Sequence, residues 1–150
     1  MNKTVAIAIA SDHAGYPLKE AIKKHLTEEG YTLLDLGTDS LASVHYPVYA
    51  DKLCQAVTGG EAALGILVCG TGIGMSMAAN KHPGIRAACC SDTFSARFTR
   101  MHNDANVLCM GARVVGEGLA FDLADIFLTT DYEGGRHQIR VDMLNELDKR

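Results

Sequence analysis

Apolar positions along the chain follow two alternating rhythms. Residues 4–10, "TVAIAIA", form an unbroken apolar run with β-branched members. That is the pattern of a strand covered on both faces. "SDHAG" interrupts it, and Pro17 then stands where a first helical turn tolerates proline. Leu18, Ile22 and Leu26 recur every four residues until Gly30 closes the segment, which predicts a helix. The unit repeats. Strands are predicted at 31–37, 63–69, 85–91 and 105–111. Between and after them fall helices from Pro47 to the Thr58-Gly59-Gly60 stop, near 73–81, at 93–103, at 118–130, and from 133 to the C-terminus. Val48, Leu53, Ala56 and Val57 make one side of the second helix apolar, and Phe94, Phe98 and Met101 share a face of the fourth.

Strands alternating with helices of this length imply a parallel sheet with helices on both sides and right-handed crossovers. The expected fold is α/β, a three-layer αβα sandwich around a five-stranded parallel sheet of Rossmann-like kind. With 150 residues and no linker or low-complexity tract, one domain spanning residues 1–150 is expected. In such sheets ligands sit beyond the carboxyl ends of the strands.

Composition narrows the function classes. Hydrophobic residues make up 47% and charged residues 21%, as in an ordinary globular protein. A net charge of −4 argues against nucleic acid and against a polybasic membrane surface, so an anionic ligand needs a local cluster of positive side chains. The N-terminal apolar run is too short for a signal peptide, and no segment approaches the roughly 20 apolar residues of a membrane span. Five cysteines, an odd number mostly inside apolar runs, point to a reducing, cytoplasmic setting.

Chemically able residues gather at the predicted strand ends. Asp12 and His13 follow the first strand, Cys69 ends the third, Ser91 and Asp92 follow the fourth, and Gly111 and Arg113 follow the fifth. After Cys69 comes "GTGIG", Gly70 to Gly74. It is neither the dinucleotide fingerprint nor a P-loop, because Met75 stands where G-x-G-x-x-G needs its last glycine and no Gly-Lys-Ser/Thr follows. Glycines at a strand-to-helix junction nevertheless let bare amides approach a phosphate or a developing oxyanion. The plainer alternative is a tight turn that uses glycine only for positive φ. Cys89, Cys90, Cys109 and Cys54 read as small buried hydrophobes. Cys69 differs by facing a helix start, where a thiol pKa can fall from about 8.5 toward neutrality and serve a nucleophile or a base.

Arg136 and Arg140, four apart, project from one face of the last helix and flank an apolar seam of Ile139, Met143 and Leu147. A solvated basic face is the plainer reading; with Arg113 they would supply three guanidinium groups for one phosphate. His102 ends a helix, where a lone histidine is commonly solvated or capping. The remaining histidines show no metal-ligand spacing, so no metal is expected.

The blocks "SDHAG", "HYPVYA", "CGTGIGMSMAANKHPGIRAA", "HNDANVLCMGARVVG" and "YEGGRHQIR", in this order and register, resemble the ribose-5-phosphate isomerase B family, which also holds the galactose-6-phosphate isomerase subunits. The resemblance implies an aldose–ketose isomerase that interconverts D-ribose 5-phosphate and D-ribulose 5-phosphate through an enediolate, with no cofactor and no metal. It implies Cys69 as general base, His102 as the acid that opens the sugar ring, and Thr71 beside them. It implies substrate binding by Asp12, His13, Tyr46, Gly70, Thr71, Gly72, Ile73, Gly74, Asn103, Arg113, Arg136 and Arg140, the arginines chiefly for the phosphate. Some members carry a glutamate base where Met75 stands here, which leaves the role to Cys69. A homodimer or homotetramer with shared pockets is also implied, with the C-terminal helix used in oligomerisation. The alternatives are a six-carbon substrate, allose or galactose 6-phosphate, and a non-catalytic phosphate or nucleotide sensor.

Overall fold

The computed structural model describes residues 2–150. Five strands form one sheet: β1 (Ile7–Ser11), β2 (Leu33–Asp35), β3 (Leu64–Cys69), β4 (Ala87–Cys89) and β5 (Val107–Gly111). Their order is β2-β1-β3-β5-β4, and every pairing is parallel. Six helices alternate with them: α1 (Tyr16–Glu28), α2 (Tyr46–Thr58), α3 (Ile73–Ala79), α4 (Thr93–Asn103), α5 (Glu117–Thr129) and α6 (Arg136–Leu147). The three-layer α/β expectation holds, and no helix among the described residues is long and apolar enough to cross a membrane.

The period of two along each strand sorts side chains between two cores. Ile7, Ile9, Ile66, Val68, Leu108 and Met110 meet α1 and α5 on one face. Ala8, Ala10, Leu67, Cys69, Val107 and Cys109 meet α2 and α3 on the other. Cys69 is thus turned toward the α2–α3 layer.

The edge strands are shorter than predicted, three residues each in place of seven. An edge strand has a ladder partner on one side only, so its flanks stay extended without regular pairing. On the outer side of β4, Asn80 takes the place of a missing strand: its amide accepts from the Ala87 N–H at 2.8 Å and donates to the Ala87 carbonyl at 2.9 Å. That protects the edge.

Lys19 was not marked by any pattern, yet it is fully buried. Its ammonium donates to Asp35 Oδ1 at 2.8 Å and to the Thr38 carbonyl. Lys23 also reaches Asp35, and although partial burial pushes that carboxyl up, the two lysines hold it below its usual value. The charge is tolerated because it is paired and hydrogen-bonded. The pair anchors the loop after β2, whose Val44 N–H donates to His13 Nδ1 at 3.2 Å.

The apolar seam of α6 faces outward. It is not packed within the chain: Ile139, Met143 and Leu147 are 67%, 65% and 53% exposed. Only His137 and Val141 of that helix are buried.

Candidate active site

The strand order reverses between β1 and β3, and at such a switch point the loops leaving the two strands part and open a crevice. Asp12 follows β1 and Cys69 closes β3, so the fold places them side by side. The Asp12 N–H donates to the Val68 carbonyl at 3.2 Å, which continues the pairing one residue past the strand. The Asp12 carboxylate turns back to accept the Gly15 N–H at 3.0 Å and so closes the "SDHAG" turn. Cys69 pairs in register with Gly111 of β5, and Arg113 follows two residues later. Asp12, Cys69 and Arg113 therefore stand along one carboxyl edge.

The glycine loop is built around the sulfur. Gly72 has φ +81°, in the left-handed region that favours glycine. In that conformation its N–H points back at Cys69 Sγ, at 3.1 Å. A β-carbon at Gly72 would lie 2.8 Å from the Met110 carbonyl carbon, and one at Gly111 would lie 2.5 Å from Thr71 backbone atoms. The loop is thus pressed onto the end of β5, and both contacts need glycine. Gly72 offers no side-chain cap to α3: the Ile73 N–H is taken by Thr71 Oγ1, and the Gly74 and Met75 N–H groups have no side-chain acceptor among the described residues.

The other expected residues fall into two groups. Tyr46 opens α2, and its ring covers Gly74, with a β-carbon there 2.8 Å from the ring. The Arg113 guanidinium lies over Gly70, with a β-carbon there 3.5 Å from it. Thr71 Oγ1 accepts the Ile73 N–H at 3.3 Å, and Ile73 itself is exposed. With Asp12 and His13 after β1, these residues belong to the same sheet edge and glycine loop as Cys69.

His102 and Asn103, at the end of α4, line a cavity with Cys89, Cys90, Phe94 and Phe98, and Cys69 is not part of its wall. The His102 ring stacks on His137 of α6 at 4.1 Å between centroids. Arg136 begins α6, and Arg140 lines an apolar groove with Met143, Leu144 and Leu147. One folded chain therefore brings Arg113 to the glycine loop, while His102, Asn103, Arg136 and Arg140 stand with α4 and α6.

The thiols separate by environment. Burial pushes Cys54 up to about 12 and Cys90 up to about 11, and holds fully enclosed Cys109 well above its ordinary value. Cys89 corrects its expected burial: β4 is too short to cover it, and it is exposed, with Sγ 3.7 Å from the Thr71 carbonyl. Burial of part of its surface and the neighbouring Cys69 raise it as well. The neutral thiol is therefore the favoured form at these four positions.

Sequence spacing missed one cluster. Glu133, on the loop before α6, comes between His102 and His137, and the donor atoms of all three lie within 4.8 Å of one another. No local motif marks the set, because His102 belongs to a different helix.

The ribose/galactose isomerase family model matches residues 7–144. Ribose-5-phosphate isomerase B of Escherichia coli strain K12 is 50% identical over 144 residues, covering 96% of this chain and 97% of that protein. A ribose-5-phosphate isomerase B structure from Clostridium thermocellum superposes with a TM-score of 0.95 at 49% identity, covering 97% of this chain and 98% of the other. The type B ribose 5-phosphate isomerase of Trypanosoma brucei gives 0.93 at 45% identity, over 96% and 99%.

Proposed function

Since the chain belongs to the ribose/galactose isomerase family, we propose that it interconverts D-ribose 5-phosphate and D-ribulose 5-phosphate with Cys69 as the base. The observation that carries the reading is the sulfur at the switch point, held 3.1 Å from the Gly72 amide and beside Asp12.

The reaction transfers a proton between C2 and C1 of the open-chain sugar. Cys69 removes the proton from C2 and leaves an enediolate; the O2 hydroxyl gives up its proton as O1 takes one, and the thiol then returns its proton to C1. One base on one side of the sugar serves both steps. The negative charge on the sugar oxygens is met by the Gly74 and Met75 amides, which have no side-chain acceptor and are in place before the charge develops. Thr71, Ile73 and Gly74 shape that loop, and Asp12, His13 and Tyr46 bind the sugar hydroxyls. Arg113, Arg136 and Arg140 take the phosphate, and fixing that far end sets C2 against the sulfur. His102 protonates the ring oxygen of the cyclic form, and Asn103 binds beside it.

These groups act together in a homodimer or homotetramer, in which a second copy brings its α4–α6 residues to the first copy's glycine loop. The division of the set between two regions supports this, as does the uncovered apolar face of α6. Five free cysteines fit a reducing cytoplasm.

The test is turnover of D-ribose 5-phosphate in deuterated water by the native protein and by Cys69→Ala, with allose and galactose 6-phosphates in parallel. Native protein is expected to exchange solvent hydrogen into the ribose product, and the variant to fold normally and lose about 10²–10⁴-fold in kcat. Near-normal turnover by Cys69→Ala removes the sulfur from the mechanism. Turnover confined to a six-carbon substrate moves the specificity.

A further inference from the structure

The segment from Thr38 to Tyr46 is a strap tied at both ends. At its start the β1–β2 pairing runs on past the strands: the Ser11 N–H donates to the Gly37 carbonyl at 2.8 Å, and the Thr38 N–H donates to the Ser11 carbonyl at 2.9 Å. The buried Lys19 ammonium holds the Thr38 carbonyl from the α1 side. The Tyr49 ring closes over Gly37, where a β-carbon would lie 2.8 Å from it. At the other end the Tyr46 ring lies on Gly74 of the glycine loop. The tip between them, around Leu41, is exposed.

One bond ties the strap to the sheet edge. The Val44 N–H donates to Nδ1 of His13 at 3.2 Å. A backbone N–H can only donate, so this Nδ1 accepts and carries no proton. A neutral imidazole has one proton on its two nitrogens, which leaves it on Nε2. The other tautomer sets N–H against N–H and loses the bond. The strap therefore decides what His13 offers a ligand. It offers a donor, next in sequence to the acceptor carboxylate of Asp12 that Gly15 holds. An Nε2–H serves any oxygen of a sugar phosphate, whereas a bare Nε2 serves only its hydroxyls, because an ionised phosphate oxygen has no proton to give.

We propose that Val44 is a positioning residue: its backbone N–H locks His13 in the Nε2–H form, and His13 binds the sugar phosphate by donating from Nε2. The binding half rests on the place of His13 in the site proposed above; the tautomer half does not.

The full-length protein with ¹⁵N-labelled histidine is followed by NMR in mildly alkaline buffer without substrate. His13, assigned by its loss in His13→Asn, is expected to show a protonated Nε2 and a bare, hydrogen-bonded Nδ1. Two variants remove the donor: Val44→Pro, and the native chain with an ester in place of the Val44 amide, which keeps the valine side chain. Each is expected to turn His13 into a mixture of tautomers with circular dichroism unchanged. Each is also expected to raise KM for ribose 5-phosphate about three- to tenfold with kcat little changed. A merely structural role would lower the amount of active protein, hence kcat, and leave KM as it was. A proton on Nδ1 of His13 in the native protein, or a mixture of tautomers there, overturns the bond without any variant. A tautomer unchanged in both variants overturns the strap's control of it. A tautomer lost with KM unchanged upholds the bond and overturns donation by His13 in binding. The spectrum needs no substrate, so failure of Cys69 as the base appears in turnover alone and leaves the tautomer result standing.

Discussion

Replacing Gly72 by alanine tests how the sulfur is held. Two costs add. A β-carbon in the left-handed region costs roughly 1–2 kcal/mol. At φ +81° that carbon also lies 2.8 Å from the Met110 carbonyl carbon, 3.0 Å from Met110 Cα and 3.0 Å from Cys89 Sγ. The Met110 atoms belong to a central strand that cannot retreat, so overpacking adds about 1–3 kcal/mol. The sum, about 2–5 kcal/mol, is less than the stability of most domains, which is about 5–15 kcal/mol. The variant is expected to fold with a melting point lower by about 4–20 °C. Gly60→Ala separates the terms: its φ is +82°, but nothing lies within 4 Å of a β-carbon there. It carries the backbone cost alone. Urea unfolding of both variants then yields the packing part as their difference, about 1–3 kcal/mol. Relief of the clash moves the loop, and a shift of about 1 Å in the amide facing Cys69 is expected to lower kcat about 10²-fold. Equal destabilisation of the two variants, or full turnover by Gly72→Ala, refutes the account of the loop.

Other perturbations follow from the same geometry. Lys19→Met removes a buried cation and is expected to cost about 2–3 kcal/mol in urea unfolding; this is below the usual 3–5 because Lys23 remains on Asp35, which is partly solvated. A change under 0.5 kcal/mol, itself only about a tenth of a small domain's stability, contradicts the pairing. Arg136→Ala is expected to raise KM for ribose 5-phosphate about tenfold with little change in kcat, and an unaltered KM removes it from phosphate binding. His82 joins α3's C-terminal end to Asp51 of α2, with Nε2 2.7 Å from Asp51 Oδ1 and Nδ1 3.0 Å from the Ala78 carbonyl. Burial pulls the imidazole down, but these acceptors on both nitrogens outweigh it and raise His82 above its ordinary 6.5. The same bond lowers Asp51. The pair's contribution is therefore fully present between the ordinary Asp and His values and fades as pH rises through the raised His82 value. The melting-point gap between native protein and Asp51→Asn is expected to narrow from about pH 5.5 to about pH 8, and a gap that widens reverses the sign.

Local order was legible because local physics sets it. The run from Val5 to Ala10 and the four-residue rhythm of Leu18, Ile22 and Leu26 each specify an element whatever else the chain does. Glycine at 72 between a strand and a helix likewise announces a turn with accessible amides. Alternating strands and helices then leave few topologies, and parallel strands put Asp12, Cys69 and Arg113 at one end. What the pattern could not carry are the relations between distant segments. Lys19 reads as a surface position until Asp35 and the Thr38 carbonyl close over it. The strand lengths at 33–35 and 87–89 depend on having one neighbour in place of two. Cys89 is exposed for the same reason. The meeting of His102, Glu133 and His137 needs two helices and a loop to converge. Hydrophobic period and turn chemistry act over a few residues, so sequence determined the elements and their order. Partners for buried charge, strand ends and clustered side chains are set by contacts across tens of residues, and only the tertiary structure decides those.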